Sequence, residues 1–417
     1  MQHIIIGAGP AGVVAAETLR KCDPDASITI IGDEPEPPYS RMAIPYYLAN
    51  NIGEAGSYLR DPKTHYSNQN IELVQQRVDK IDSNAKKITL ADGSSRNYDK
   101  LLLATGSSPM SPPIPGLDLP QVHSCWTLED ARSIIKLAQP GADVVLIGAG
   151  FIGCIILESL VQRGIKLSVV ETGNRMVPRM LNDKAGGLLE KWCLVKGIDV
   201  HTSCSVESVK SADNNEVEVS LSDGSKLPAA LVITATGVKP NVEMLEGTDI
   251  KLDIGILVNH SMQTSNDDVF AAGDVAQGID FSTGNFEVQA IQPTATDHGR
   301  IAALNMSGNT SEHHGTLNMN ILDTVGLISC SFGLWMGVDG GDQSELYNPE
   351  EFQYINLQFD GNHLVGASTV GKTQHIGVLR GLIESRIELG EWKQRLMEDP
   401  TSIMEAYMAC TQELGYA

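Results

Sequence analysis

The chain has 417 residues, 42% apolar and 20% charged, a length and balance suited to two or three globular domains. Its 52 acidic residues against 30 lysines and arginines give a formal charge of −22, which opposes binding to nucleic acid or to an anionic membrane surface. No window approaches the roughly 20 apolar residues of a membrane-spanning helix, so membrane insertion is not expected.

His3-Ile-Ile-Ile6 runs directly into Gly7 and reads as the first strand of a fold rather than as a signal peptide, so a cytoplasmic protein is expected. The segment 3–20 then reads strand, glycine turn, helix, with an apolar strand following at Ile28–Ile31. In Gly7-Ala-Gly9-Pro10-Ala11-Gly12, Gly7 permits the tight turn, Gly9 lets backbone approach a pyrophosphate, and Gly12 lets helix and strand pack closely. Asp33 or Glu34, just after the second strand, supplies the acid that accepts hydrogen bonds from a ribose.

Residues 143–163 repeat the plan, with Gly148-Ala-Gly150-Phe-Ile152-Gly153 as a second fingerprint and Leu167–Val170 as the following strand. Glu171 closes that strand. An acid there favours a free 2′-hydroxyl, hence NAD(H) over the phosphorylated nucleotide, although Arg175 and Arg179 stand nearby in sequence. Two such units predict an α/β protein with two doubly wound parallel sheets. The proline-rich Ser107–Pro120 cannot be a regular element and marks one crossing between the sheets, with a return near Lys239–Leu245. From about residue 313 the pattern changes. Strands are expected in Asn318–Ser331, Gln353–Phe359 and Leu364–Val370, and helices in Gln374–Leu389 and Trp392–Met397. The expected domains are 1–112 with 246–312, then 113–245, then an α+β interface domain at 313–417.

Leu101-Leu-Leu-Ala104-Thr105-Gly106 and Val232-Ile-Thr-Ala-Thr-Gly237 both end strands in Ala-Thr-Gly, and Val269-Phe-Ala-Ala-Gly273-Asp274 ends another in Gly-Asp. Together with the two fingerprints, in this order, they resemble the two-dinucleotide flavoprotein family of pyridine nucleotide-dependent reductases. The resemblance implies FAD in the first domain and NAD(H) in the second. It places Asp274 on the flavin ribitol, Ala104-Thr105-Gly106 along the FAD path and Gly237 over the nicotinamide nucleotide. It also implies that the helix near Gln292-Pro293-Thr294 faces the flavin pyrimidine edge, and Val78 joins the FAD candidates. The nicotinamide must reach the flavin within about 3–3.5 Å for hydride transfer.

The segment 33–48 narrows the resemblance. Its Pro-Tyr-x-Arg, ending at Arg41, looks like the ferredoxin, rubredoxin and nitrite reductase flavoproteins, where the arginine contacts the FAD nucleotide. Coenzyme A disulfide reductases carry a reactive cysteine where this chain has Met42, and a thioether forms no disulfide. Leu317–Gly333 looks like the third domain of nitrite reductase flavin modules, but no siroheme or iron–sulfur cysteine motif follows. Ferredoxin reductases usually pair a lysine, here Tyr46, with a glutamate, here Ile155. Losing both leaves no orphan charge.

Two functions follow. In one, NADH reduces FAD and the flavin passes electrons to a rubredoxin- or ferredoxin-like carrier, although such carriers are usually acidic and a −22 protein repels them without a local basic patch. A larger redox complex is the other acceptor considered. In the second function the chain is an electron-transfer or nucleotide-sensing subunit that does not turn over NADH. The seven scattered cysteines read as buried small hydrophobes, His313-His314 as a solvated pair with no metal, and Glu391–Glu405 as an amphipathic helix at an edge or homodimer contact. No catalytic acid–base dyad is expected.

Overall fold

A computed structural model describes the backbone of residues 1–414 and side chains through residue 411; residues 415–417, at the end of the expected 313–417 domain, lie outside the described residues. The chain forms two compact units. The first comprises Met1–Tyr47, Ile52–Met110 and Val238–Thr316, and the second comprises Leu48–Asn51, Ser111–Gly237 and the chain from Leu317 onward.

The first unit is built on a five-stranded parallel sheet in the order Val269–Ala271, Lys100–Leu103, Gln2–Ile6, Ser27–Gly32, Ile71–Gln75. These strands are apolar runs because both faces are covered, and Ile4, Ile5, Leu101 and Leu102 are fully buried. Helix Pro10–Cys22 lies against helix Gln292–Met306, so closely that a methyl group at Gly299 would fall 2.3 Å from the Ala11 carbonyl oxygen. The strand order reverses beside Gln2–Ile6, the point where doubly wound sheets open a crevice.

The second unit repeats the arrangement. Its five parallel strands run Asp199–His201, Lys166–Val170, Asp143–Ile147, Leu231–Thr234, Val122–Ser124. Helix Leu128–Leu137 begins with a reciprocal cap, in which Thr127 Oγ1 accepts from the Asp130 N–H and Asp130 Oδ2 accepts from the Thr127 N–H.

The C-terminal part of this unit is a five-stranded antiparallel sheet, Met319–Thr324, Leu327–Gly333, His363–Val370, Gln353–Asp360, Asp342–Asn348. Asp342–Asn348 was not legible as a strand because its residues are largely polar, as befits a sheet edge. The sheet is held within the unit by Asn182 Nδ2 donating to Tyr354 Oη at 2.6 Å and by Trp192 Nε1 donating to the Thr324 carbonyl at 3.0 Å.

Several expectations are corrected. Ser107–Pro109 is a short strand after all, paired antiparallel with Val238–Pro240. The prolines sit at the ends of a two-stranded ribbon, where a missing N–H is tolerated. The helical stretch Glu391–Glu405 is two helices, Glu391–Glu398 and Ile403–Leu414, broken where Pro400 holds Asp399 extended (φ −140°, ψ 97°). Five of the seven free cysteines, Cys125, Cys154, Cys193, Cys204 and Cys330, are buried. Burial pushes the Cys125 and Cys193 thiols up to about 12.

Candidate functional site

In the first unit, strand Gln2–Ile6 ends at Gly7, whose φ of 118° is closed to ordinary side chains and whose methyl group would lie 1.9 Å from the Ala104 carbonyl oxygen. A methyl at Gly12 would lie 2.0 Å from the Gly7 oxygen, so this glycine exists for the packing of helix on strand. Gly9 differs from both. Its φ of −81° suits any residue, and nothing lies within 4 Å of where its methyl would be. It is the N-cap of helix Pro10–Cys22 and offers no side-chain cap, so the first-turn N–H groups face open space. Pro10, at the first helical position, gives up a donor that had no helical partner, and Ala11 is buried against Gly299.

The second unit reproduces this geometry residue for residue. Gly148 has φ 102° and a methyl there would meet the Ala235 oxygen at 2.5 Å; at Gly153 it would meet the Gly148 oxygen at 2.2 Å. Gly150 again has ordinary backbone, no side-chain cap and open space around its absent methyl. Ile152 sits in the first turn of helix Phe151–Gln162, half-buried. Gly237 follows the strand Leu231–Thr234 and leads into the ribbon strand Val238–Pro240.

Glu171 is buried at the end of strand Lys166–Val170, and its carboxylate oxygens accept from the N–H groups of Ala149 and Gly173, each at 2.7 Å. The acid therefore braces the second glycine turn directly. Arg175 is held by the carbonyls of Leu181 and Pro178 and by Asp183, so it is not available to swing towards a phosphate, while Arg179 is exposed.

In the first unit the corresponding acid is Glu34, which accepts from Tyr39 Oη at 2.5 Å and from Arg41 Nη2 at 2.6 Å; Asp33 beside it is exposed. Thr105 Oγ1 donates to the Asn241 carbonyl at 2.8 Å, and the Asn241 side chain and N–H return bonds to the carbonyls of Thr105 and Gly106. Asp274 accepts from Ser107 Oγ at 2.8 Å. Burial raises its carboxyl, and the Ser107 hydroxyl and the nearby Arg41 charge partly offset this. Gly273 packs between Ala11 and Ala295, joining the Asp274 turn to both helices. Helix Gln292–Met306 starts at Ile291 without a side-chain cap, Pro293 is exposed, and Thr294 is buried with an unpartnered hydroxyl. Val78 is buried in the core of this unit.

Sequence reasoning gave Tyr39 no role beyond its place in Pro-Tyr-x-Arg, and missed Ser107, Asn241 and the Ser40–Gln292 hydrogen bond of 2.5 Å. Ser107 and Asn241 each follow one of the two Ala-Thr-Gly turns, which was the only signal for them. His313 is corrected too. It is half-buried, with its ring edge-to-face on His298 at 4.7 Å, and only His314 is exposed. Among the described residues no group of three His, Cys, Asp or Glu gathers as a metal site, and no helix is long and apolar enough to cross a membrane.

The family model for pyridine nucleotide-disulphide oxidoreductases matches residues 1–297. The chain belongs to the pyridine nucleotide-disulphide oxidoreductase family.

Relatives of this oxidoreductase match along its whole length. The epsilon subunit of NADH-dependent phenylglyoxylate dehydrogenase from Aromatoleum evansii is 30% identical over 98% of each chain. NADH-rubredoxin oxidoreductase from Clostridium acetobutylicum is 29% identical over 92% of this chain and 94% of its own. Among solved structures, the covalent putidaredoxin reductase–putidaredoxin complex matches with a TM-score of 0.90 at 25% identity, covering 98% of this chain and 99% of that one. Met42, where the resemblance places the reactive cysteine of coenzyme A disulfide reductases, is exposed.

Proposed function

We propose that the protein is an oxidoreductase in which the first unit holds FAD, the second binds NADH, and electrons leave to a protein acceptor. The observation that carries this reading is the doubled cradle. Gly9 and Gly150 each leave room for a phosphate beside an uncapped helix N-terminus, while the flanking glycines are consumed by packing.

The residues present fit both groups. Asp274 spends one carboxylate oxygen on Ser107 and can meet a ribitol hydroxyl, and Thr105 and Gly106 are fixed by Asn241 along the same edge. Arg41 is oriented by Glu34 and Tyr39, on the segment where the resemblance places a contact with the FAD nucleotide. Glu171 orients the second turn through Ala149, and a 2′-phosphate beside its buried carboxylate would be repelled, which favours NADH over NADPH. When bound, FAD supplies the chemistry: it takes a hydride from the nicotinamide and can release the two electrons singly.

The acceptor is read from the relatives. One acts on rubredoxin and one solved neighbour is held to putidaredoxin, which supports a small carrier protein; the Aromatoleum relative is one subunit of a larger enzyme, which supports a redox complex. The reading in which NADH is not turned over rests on Tyr46, 58% exposed, and Ile155, neither of which offers a charge. The free cysteines suit the reducing cytoplasm. The test is to release and identify the cofactor from purified protein, then to follow NADH oxidation with rubredoxin, ferredoxin and co-purified partners. Release of FAD with NADH-driven reduction of a protein acceptor supports the proposal; a protein that binds neither nucleotide contradicts it.

A further inference from the structure

We propose that the C-terminal part of the second unit carries a further ligand site, a cavity that takes a small organic molecule bearing one carboxylate or phosphate group, with Lys372 as its anion-binding residue. The site uses no residue of either glycine turn and does not depend on which nucleotide those turns hold.

The cavity has a volume of about 320 Å³ and opens where strand Gln353–Asp360, the turn from Gly371 to His375 and the start of helix Ile403–Leu414 meet. Small-molecule clefts occupy about 300–1,000 Å³. Its floor is apolar, since Ile355 and Ile403 line it and are 2% and 3% exposed. Its rim is polar. Gln353, Lys372, Gln374 and His375 stand there, and their side chains make no hydrogen bond or ion pair with any described residue. An apolar floor with a few polar groups left free at its edge is the make-up of a ligand cleft.

Lys372 carries the argument. It is half-buried, and among the described residues every other half-buried lysine or arginine is held by a carboxylate or by backbone carbonyls. Asp399 is the acid that feels its charge, yet no ion pair forms. The Asp399 carboxylate instead accepts from the Thr401 N–H at 2.9 Å, from Thr401 Oγ1 at 2.7 Å and from Ser402 Oγ at 3.3 Å. In a chain of charge −22, a partly desolvated ammonium without a partner is a disadvantage that an anionic ligand removes.

The turn that holds this lysine is fixed. Gly371 has φ 66°, and a methyl there would lie 2.2 Å from the Phe352 carbonyl oxygen, so the turn is seated against the start of strand Gln353–Asp360. The Gly371 N–H donates to the Ile328 carbonyl at 2.8 Å. His375 ends the turn at φ 69°, an uncommon conformation for a residue other than glycine, and its imidazole does not cap the helix Ile376–Ser385 that follows. The lysine and the imidazole are thus placed on one rim without being used by the fold. One lysine with a carboxylate nearby suits a single anionic group rather than a pyrophosphate, and the two isoleucines suit an apolar body.

Phenyl phosphate and benzoate are the probes, with inorganic phosphate as the control. Each is titrated calorimetrically into the holoprotein at constant ionic strength, with excess NAD so that the glycine turns do not report. The variants are Lys372→Met, Lys372→Arg and His375→Gly. The lysine has no partner to lose and glycine accepts φ 69°, so all three should unfold at or above the wild-type denaturant midpoint. Wild type should bind one probe saturably, and the probe that binds assigns the anionic group. Lys372→Met should weaken that binding about tenfold and His375→Gly about threefold, while Lys372→Arg keeps most of it. Saturable binding of neither probe overturns the proposal, as does equal affinity in wild type and Lys372→Met. Inorganic phosphate bound as tightly as phenyl phosphate overturns the assignment of an organic ligand. A Lys372→Met protein that fails to fold also overturns the proposal, because the lysine would then serve the fold.

Discussion

Replacing Gly150 by alanine adds one methyl group where the protein has nothing within 4 Å, on a backbone (φ −74°, ψ −172°) that alanine adopts freely. The fold should hardly notice. Alanine is a poorer N-cap than glycine, but it also lowers the entropy of the unfolded chain, and the net change is expected within about 0.5 kcal/mol. Nucleotide binding should suffer, because a pyrophosphate seated against the helix N-terminus needs that volume. Forcing a methyl into a filled contact costs about 1–3 kcal/mol, which is about 5- to 150-fold in Kd. Gly153→Ala is the contrast. Its methyl would lie 2.2 Å from the Gly148 oxygen, so helix Phe151–Gln162 must move off its strand and stability should fall by about 1–3 kcal/mol. The assay pairs an NADH titration with denaturant unfolding for each variant. Wild-type NADH affinity in Gly150→Ala would refute the reading of Gly150 as a phosphate cradle, as would equal loss of stability in the two variants.

His298 is buried and its imidazole is lowered from 6.5 to about 3, chiefly by burial. The unfolded chain then binds the proton that the folded chain refuses, so stability should fall as pH drops from 6.5 towards 3, by on the order of 1 kcal/mol per pH unit. Urea titrations at pH 7, 6 and 5 should show a shallower decline in His298→Asn than in wild type; equal slopes would contradict this. Glu171→Ala leaves the N–H groups of Ala149 and Gly173 without their acceptor, and should cost about 1–3 kcal/mol in denaturant titration while weakening NADH. Asp274→Ala removes the carboxylate fixed by Ser107 and should lower the FAD content of purified protein, read from absorbance per chain; full FAD occupancy would argue against the assigned role.

What the sequence disclosed was what a few adjacent residues decide. The two glycine turns were legible because positive φ and carbonyl contacts admit nothing else at Gly7 and Gly148, and the same spacing recurs at Gly9 and Gly150. The parallel sheets were legible from unbroken apolar runs such as Ile4–Ile6 and Val144–Ile147. The supporting residues were hidden because their partners are remote. Ser107 meets Asp274 across 167 residues and Thr105 meets Asn241 across 136. Glu171 was read only as a ribose acceptor, since nothing local shows that its carboxylate also braces Ala149. The seating of the C-terminal sheet through Asn182 and Tyr354 is likewise a matter of tertiary packing, invisible in either segment alone. Pro400 was in plain view, and a helix drawn through it ignored its missing N–H.

The proposed reaction takes hydride from NADH into FAD although Tyr46 and Ile155 stand where the resemblance places the paired lysine and glutamate of ferredoxin reductases. Anaerobic mixing of the holoprotein with NADH, and separately with NADPH, while following the visible flavin band, tests it most directly. Rapid bleaching by NADH, and slower bleaching by NADPH because of Glu171, is the expected result. A flavin that dithionite reduces but neither nucleotide bleaches would contradict the account and leave the second unit as a nucleotide-sensing or structural module.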